Sequence, residues 1–311
     1  MLLSIFFFGA LGLIVGSFLN VVILRFGEKS VGGRSTCPSC NTQLRWYDLI
    51  PVLSWISLRG RCRSCHARIS VQYPLVEAAT AIFFALIAGA GLPLYAMAVA
   101  LTIISLLICI FVYDLYHKLI PDAWVWAFCI LALVYAVFSF EFLVFSLLAG
   151  PLAALPIFFL WALSYPFAGF VGAWMGFGDV KLALGIGWLL PLPTVIGLPL
   201  GLVAVFFAFI IGAVISACIL LPFPHYVRWS RVLLGRAHAT RLVFLCPVGG
   251  RRDVHDVDKR DLPTMASNLD HTNLDAGYTM KSEVQFGPFL IASCVLVWLS
   301  VLYNVHIPFS L

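Results

Sequence analysis

Long apolar runs recur along this 311-residue chain and are separated by polar connections. A run of about 20 apolar residues is long enough to cross the hydrocarbon core of a bilayer as an α-helix. Eight runs approach this length, at residues 2–24, 74–91, 94–113, 121–139, 143–165, 180–197, 199–221 and 287–305. The pattern therefore predicts an all-α polytopic membrane protein with about eight transmembrane helices.

The composition supports this fold class. Hydrophobic residues make up 62% of the chain and charged residues 11%, and the mean hydropathy is +1.02. These values exceed what a water-soluble domain needs for its core. The first run has no basic residue before it, and Arg25 follows it directly. It lacks the charged start of a cleavable signal peptide, so we expect a retained helix.

The basic residues indicate how the spans are oriented. When the connections are placed alternately on the two sides of the membrane, all 19 lysines and arginines fall on one side. Basic residues concentrate in cytoplasmic loops, so this side is predicted to be the cytoplasm, with both termini outside. The net charge of +5 is then a topology signal, and no nucleic-acid partner is needed to explain it.

Two long polar segments interrupt the apolar pattern, and both are cytoplasmic in this topology. The second segment, residues 222–286, mixes charge signs, has few aromatic residues and shows no helical period. It can bury little apolar surface, so we expect it to be largely flexible. The predicted organisation is a first helix at 1–24, a cytoplasmic domain at 25–73, helices two to seven at 74–221, a long loop at 222–286, and a last helix with an outer tail at 287–311.

Two cysteine pairs lie in the first polar segment, as CPSC at Cys37 and Cys40 and as CRSC at Cys62 and Cys65. Two short knuckles of this kind can bring four thiolates together as a tetrahedral zinc site. Four thiolates leave no coordination position open for catalysis. Free thiols or disulfides are the alternative, but a cytoplasmic loop is a reducing environment. We therefore predict that residues 25–73 form a small zinc-binding domain with a structural Zn²⁺.

Ionisable residues at membrane depth are costly and are therefore candidates for function. Asp114 closes the third predicted span and Asp179 opens the sixth, so both fall at cytoplasmic ends of spans. The fold can bring them to one level. Two carboxylates that share a proton allow one to activate a water molecule while the other protonates a carbonyl oxygen. We expect Asp114 and Asp179 to form such a pair.

Other acidic residues have a structural interpretation. Asp122 follows Pro121 at a predicted helix start, where a carboxylate favours the positive end of the helix dipole. We therefore interpret Asp122 as a helix-capping residue. Glu77 follows Pro74 in the same way, and its position is compatible with either a first-turn charge or a functional role.

Asp179 also has a structural alternative, as a first-turn residue with Lys181 extending towards the interface. The two glycines before it argue against this interpretation. Gly176 and Gly178 remove side chains where another backbone, such as an extended substrate, must approach closely. Capping of a helix needs no such clearance, so we predict that these glycines line the approach of a substrate.

Six stretches occur in the following order along the chain: GSFLNVVILR (16–25), the two cysteine knuckles, ISVQYPLVEAAT (69–80), DLYHKLIPD (114–122), GFGDVKLALGIG (176–187) and FGPFLIAS (286–293). Together, and in this order, they resemble the bacterial type IV prepilin peptidases, which are GxGD aspartic proteases. The resemblance covers most of residues 1–220 and then 284–305. The long segment at 222–286 departs from the family pattern.

The resemblance implies a function. It implies that Asp114 and Asp179 are the catalytic aspartates, and that the four cysteines bind zinc. Members of the family remove the short basic leader of prepilins and pseudopilins at the cytoplasmic face of the bacterial inner membrane. They then methylate the new N-terminal residue from S-adenosylmethionine. A prepilin joins a basic leader to an apolar helix, so its scissile bond would lie at the membrane boundary where the charge pattern places both aspartates.

Some parts of this function stay open at the level of sequence. No glycine-rich nucleotide loop marks an S-adenosylmethionine site, and the cysteine domain with the neighbouring YPLVE segment is where we expect one. The machine that is served, whether a type IV pilus, type II secretion or DNA uptake, is also open. A proton-coupled transporter is an alternative, but it predicts ionisable groups throughout the membrane depth. A non-catalytic, zinc-stabilised assembly factor is the other alternative.

Overall fold

A computed structural model describes residues 2–26, 33–37, 39–139, 143–164, 176–193, 198–220 and 286–303. Within these ranges the chain consists of helices joined by turns and isolated bridges, without strands. The helices are α1 (Leu2–Arg25), α2 (Leu53–Ser57), α3 (Gln72–Gly89), α4 (Leu94–His117), α5 (Asp122–Ser139), α6 (Leu143–Ser164), α7 (Phe177–Leu189), α8 (Leu200–Leu220) and α9 (Gly287–Leu302). One compact unit comprises Met1–Val214 with Gln285–Leu311, and a second comprises Ile215–Val284. The predicted long loop at 222–286 lies outside the described residues except at its end.

A helix lies at each of the eight positions where an apolar run predicted a span. Four of these helices are long and apolar enough to cross a membrane: Leu2–Arg25, Gln72–Gly89, Leu94–His117 and Val144–Ser164. Three further apolar helices are shorter: Asp122–Phe138, Leu200–Ser216 and Gly287–Leu302. The part of the chain that the structure describes is therefore mostly helical with four candidate membrane spans, and the larger count of eight stays a prediction.

Helix α7 differs most from its predicted span, which was residues 180–197. It begins at Phe177 and ends at Leu189, after 13 residues. At about 1.5 Å per residue, it extends about 20 Å and is shorter than the hydrocarbon core of a bilayer. Leu190 leaves the helical conformation, with φ −122° and ψ 61°, because Pro191 follows it and a residue before proline disfavours the α region.

Helices α1 and α3 pack closely through glycines. A Cβ on Gly12 would lie 2.7 Å from Ala81 Cα, and a Cβ on Gly16 would lie 2.7 Å from Glu77 Cα. Small residues allow two helix backbones in a membrane to approach to this distance. Asn20, one turn further along α1, donates a hydrogen bond from Nδ2 to the Tyr73 carbonyl at 3.2 Å. The end of α1 is therefore held against the start of α3.

Helix α7 packs against both α5 and α6, and α9 contacts α3, α4 and α7. Glycines again allow the close approach. A Cβ on Gly187 would overlap the Ala149 carbonyl oxygen of α6, and a Cβ on Gly185 would overlap the Phe128 ring of α5. Buried apolar side chains of these helices form one continuous core. This packing brings the start of α7 beside the C-terminal end of α4 and the start of α9.

Candidate functional site

Asp114 lies in the last turn of α4, where its side chain is buried. The helix ends three residues later because Lys118 adopts the left-handed conformation, with φ 54° and ψ 34°. The Lys118 N–H donates a hydrogen bond to the Asp114 carbonyl oxygen at 2.8 Å, in the manner of a left-handed helix cap. This cap turns the chain back so that Ile120, two residues on, faces the same region.

Asp179 is the third residue of α7 and is also buried, with 7% of its surface exposed. Gly176 is the extended N-cap residue, and its carbonyl oxygen accepts the Asp179 backbone N–H at 3.1 Å. The alternative interpretation of Asp179 as a first-turn residue is therefore correct about its position in the helix. A solvated helix-start charge would be exposed, however, and this carboxylate is enclosed by the protein.

Ile120 packs against a glycine beside each of the two carboxylates. Its Cβ lies 3.1 Å from where a Cβ on Gly178 would be placed, and its Cδ1 lies 3.2 Å from the equivalent position on Gly287. A Cβ on Gly287 would also overlap Asp114 Oδ2. The carboxylates of Asp114 and Asp179 are close enough for their charges to interact. The C-terminal end of α4 and the starts of α7 and α9 thus converge on one pair of acidic groups.

Gly287 is a site residue that sequence reasoning missed. The stretch FGPFLIAS that contains it was recognised only as part of the family resemblance, without a role. A glycine in an apolar stretch gives no signal until its neighbour is known. That neighbour, Asp114, lies more than 170 positions earlier in the chain, and packing of α9 against α4 brings the two together.

The two glycines predicted to line the approach of a substrate have different surroundings. Gly178 faces the Ile120 side chain, which occupies the clearance that the missing Cβ creates. At Gly176 the nearest group to an added Cβ is Asp179 Oδ2, at 3.8 Å, which is an ordinary contact. Among the described residues, Gly176 therefore has space beside the carboxylate, whereas Gly178 serves the packing of the loop after α4.

Asp122 and Lys181 form an ion pair beside this site, with 2.7 Å between Asp122 Oδ1 and Lys181 Nζ. Asp122 is the first residue of α5, at the helix start predicted for it. Lys181 Nζ also lies 5.2 Å from the centre of the Phe177 ring. The pair links α5 to α7. Because the Asp122 side chain is 67% exposed, the pair contributes at most about 1 kcal/mol.

Glu77 lies in α3, which begins at Gln72, so it falls in the second turn of the helix. The interpretation of Glu77 as a first-turn charge is therefore wrong. The carboxylate is buried and accepts the Val52 backbone N–H at 2.7 Å. This hydrogen bond ties the segment before α3 to the helix itself.

The four predicted zinc ligands come together. The sulfur atoms of Cys37, Cys40, Cys62 and Cys65 all lie within 4.8 Å of one another. Cys37 Sγ and Cys65 Sγ are 3.8 Å apart. Two corners of a tetrahedral site with Zn–S bonds of about 2.3 Å are separated by about 3.8 Å. The donor set and its spacing fit a structural Zn²⁺.

The two cysteine knuckles have the same backbone geometry. In the first, the Asn41 N–H donates to the Cys37 carbonyl oxygen at 2.9 Å. In the second, the His66 N–H donates to the Cys62 carbonyl oxygen at 3.0 Å. Asn41 and His66 both adopt positive φ, 55° and 58°. His66 therefore has a backbone role in its turn, and no metal-ligand role is needed to explain its position.

Cys40 has the features of a metal ligand. Its sulfur lies 3.2 Å from Thr42 Oγ1. Hydrogen bonding with the Thr42 side chain and backbone lowers the pKa of the Cys40 thiol to about 6. The thiolate is the form that binds a metal ion, and these hydrogen bonds favour the thiolate at Cys40.

Two family profiles match consecutive parts of the chain. The profile described as the Bacterial Peptidase A24 N-terminal domain matches residues 10–90. The profile described as the Type IV leader peptidase family matches residues 101–217. The first match contains all four cysteines, and the second contains both aspartates. No solved structure matches the chain.

Characterised relatives agree with these profiles. A prepilin leader peptidase/N-methyltransferase from Pectobacterium carotovorum is 36% identical over 210 residues, which cover 58% of this chain and 73% of the relative. One from Myxococcus xanthus is 48% identical over 123 residues, covering 39% of this chain but only 36% of the relative. One from Aeromonas hydrophila is 34% identical over 209 residues, covering 57% of this chain and 70% of the relative. This chain therefore belongs to the type IV leader peptidase family, together with the prepilin leader peptidase/N-methyltransferases.

Proposed function

We propose that this protein is a membrane-embedded aspartic endopeptidase that removes the leader of prepilins or pseudopilins and then N-methylates the new N-terminal residue. The observation that carries the proposal is the convergence of Asp114 and Asp179, both buried, from the ends of two different helices. Membership of the family and the names of its relatives support the substrate class. Our proposed catalytic residues are Asp114 and Asp179.

The proposed reaction is hydrolysis by a water molecule held between the two carboxylates. The ionised carboxylate takes a proton from the water molecule while the water oxygen bonds to the peptide carbonyl carbon. The protonated carboxyl donates its proton to the carbonyl oxygen. The C–N bond then breaks as the departing amine takes the proton that the first carboxylate removed from the water. The second carboxylate takes back a hydroxyl proton from the tetrahedral intermediate, which restores the pair. The pair titrates as a unit, so both assignments of acid and base are compatible with the geometry.

We further propose that all eight helices at predicted spans cross or enter the bacterial inner membrane. In this arrangement the cysteine domain at 25–73 and the aspartate pair face the cytoplasm, both termini lie outside, and lipids surround the helices. The distribution of the 19 basic residues supports this orientation. Segment 222–286 is then a cytoplasmic connection between the last two helices.

Two cofactors belong to the proposal. A structural Zn²⁺ would be held by Cys37, Cys40, Cys62 and Cys65, whose sulfur spacing fits a tetrahedral site. S-adenosylmethionine would supply an electrophilic methyl group for the second activity. The expected region for that activity is the cysteine domain together with the YPLVE segment, where Glu77 is buried.

The dyad is tested by removing one ionisable group at a time. Purified Asp114→Asn and Asp179→Asn variants are incubated with an intact prepilin and S-adenosylmethionine, and the product N-terminus is determined by mass spectrometry. We expect leader removal to fall by at least about 1,000-fold in both variants, because each supplies one half of an acid–base pair. Asp122→Asn is the matched control, since its carboxylate is 67% exposed and outside the pair.

The control should cleave at close to the wild-type rate, and all variants should retain zinc. Cleavage by Asp179→Asn at the wild-type rate would refute the assignment of the catalytic pair. The wild type could instead shorten every prepilin tried without adding a methyl group. This outcome would support the proposed peptidase activity and refute the proposed methyltransferase activity.

A further inference from the structure

A cleft of about 1160 Å³ lies between the cysteine-containing segment, α1 and α3. Its lining combines three kinds of group. Buried polar residues come from the two helices, exposed apolar side chains come from α1, and arginines come mainly from the cysteine segment. The aspartate pair is not part of its lining. The cleft is therefore a second candidate site on the same protein.

Asn20 lines this cleft, and its side chain has a hydrogen-bond acceptor without a partner among the described residues. The residue is 1% exposed, and its Oδ1 has no partner among the described residues. Its Nδ2 donates to the carbonyl oxygens of Gly16 at 3.3 Å and Tyr73 at 3.2 Å. Two carbonyl partners require the amide nitrogen on that side, so the orientation of the amide is determined. A buried acceptor without a partner is rare in folded proteins, and a donor from a ligand would satisfy it.

Glu77 adds a buried carboxylate to the same lining. Its Oε2 accepts the Val52 N–H at 2.7 Å. Val52 has φ 60° and ψ −49°, an unfavourable conformation for a β-branched residue. Strained backbone of this kind is found at functional sites, where the surrounding structure holds it in place. The hydrogen bond to Glu77 is one of the contacts that hold it here.

These acceptors suit a cation or an N–H donor. Asn20 Oδ1 and the Glu77 carboxylate are both acceptors, and neither offers a proton to an anion when Glu77 is ionised. The arginines of the lining, such as Arg34 and Arg63, suit an anionic group instead, and Arg63 is already paired with Asp48 at 2.8 Å. Within the cleft, an ammonium group is therefore best placed against Asn20 and Glu77.

The apolar wall indicates what is attached to that ammonium. Ile14, Phe18 and Leu24 of α1 line the cleft and are 63%, 57% and 47% exposed. Ile14 and Phe18 precede Asn20 along α1, and Leu24 follows it. A ligand that fits both parts carries a positive group at the end of an apolar segment. A prepilin after leader removal has this chemistry, because its new α-amino group begins an apolar helix.

We propose that Asn20 and Glu77 bind the free α-amino group of the processed, apolar-headed substrate and hold it for methylation. This inference rests on the proposed function. An α-amino group has a pKa near 8 and is mostly an ammonium at neutral pH. The Glu77 carboxylate takes the proton that the ammonium nitrogen must lose before it can act as a nucleophile. The nitrogen would then bond to the methyl carbon supplied by S-adenosylmethionine, and the methyl–sulfur bond would break to leave S-adenosylhomocysteine. The cleavage site and the methylation site are then separate.

The test measures binding directly with a synthetic peptide that has the mature N-terminal sequence of a prepilin and needs no cleavage. One form has a free α-amino group and the other has an acetylated one. Titration calorimetry of the zinc-loaded protein in detergent is expected to show at least about tenfold tighter binding of the free form, because a hydrogen bond to a charged group is lost on acetylation. Glu77→Gln and Asn20→Leu should each remove most of this preference.

Thr80→Val is the matched control, because Thr80 is buried on α3 one turn from Glu77 but does not line the cleft. It should keep the preference for the free amine. Glu77→Gln should also lower the yield of methylated product about 100-fold, whereas Thr80→Val should keep the wild-type yield, and circular dichroism checks that both variants are folded. Equal binding of both peptides by the wild type, or an unchanged preference in Glu77→Gln, would overturn the proposal. Failure of the wild type to methylate any prepilin would instead refute the proposed methyltransferase.

Discussion

At the scale of single residues, the aspartate pair depends on positions that have no side chain. Gly178 leaves room for Ile120, and Gly287 allows the start of α9 to touch the Asp114 carboxylate. The sequence identifies the carboxylates themselves, because charged residues are rare in apolar stretches. It does not identify their supporting neighbours, because a glycine is informative only in relation to the group that it faces.

Gly287→Ala is expected to impair cleavage. The new methyl group would overlap Asp114 Oδ2 and press on Ile120, so either the carboxylate or the start of α9 must move. A displacement of about 1 Å at a catalytic group can lower the rate about 100-fold. The turnover rate for leader removal should therefore fall by about this factor, with little change in KM, as measured with a purified prepilin.

Gly212→Ala is the control for this change. A Cβ at Gly212 would meet the Phe289 ring at 3.2 Å, and the three described atoms nearest to it all belong to that ring. Its turnover rate should stay close to that of the wild type. A Gly287→Ala variant that is equally active would mean that the contact with Asp114 has no part in catalysis.

At the scale of helices, the length of an apolar run predicted where a helix lies better than where it ends. Helix α4 continues to His117, four residues beyond the predicted span, and ends there because Lys118 adopts the left-handed conformation. Helix α7 stops early because prolines follow Leu189. Helix pairing was not predicted. The glycines of α1 specify it, but only when the residues of α3 that they face are known.

Gly12→Ala is expected to destabilise the contact between α1 and α3. Its Cβ would lie 2.7 Å from Ala81 Cα and 2.8 Å from the Thr80 carbonyl oxygen, and backbone atoms cannot yield without separating the helices. Overpacking of this kind costs about 1–3 kcal/mol. Gly9→Ala, one turn earlier, meets nothing closer than 3.7 Å and should be neutral or slightly stabilising. Thermal unfolding in detergent should therefore show a lower Tm for Gly12→Ala alone.

At the scale of the whole molecule, a cysteine-containing segment is joined to a bundle of helices. Among its described residues only Cys37, Gly60 and Cys62 are buried, and many of its apolar side chains, including Trp46, Leu49 and Leu53, are exposed. The four sulfur atoms are therefore the main candidates for what holds residues 33–71 together. Coordination of a structural zinc can contribute on the order of 10 kcal/mol to such a unit.

Removal of the metal should unfold this segment without unfolding the helices. A strong chelator, or Cys37→Ser with Cys62→Ser, is expected to release about one zinc per chain and to make the segment sensitive to protease. The helical signal in circular dichroism should change little, because α4 to α7 pack against one another independently of the cysteines. Cys109→Ser is a control, since Cys109 is buried within α4, and it should retain the metal. Full loss of helical signal on chelation would contradict this division.

The sequence by itself determined the helical class, the positions of the apolar helices, the four cysteines and the two aspartates. These features are local, since they depend on residue type and spacing along the chain. Only the tertiary structure decided which glycines face a carboxylate, how Glu77 is bonded, and that Asn20 lines a cleft with an unused acceptor. These are relations between residues far apart in the chain, and they arise from the packing of α1 on α3 and of α9 on α4, which no local pattern encodes.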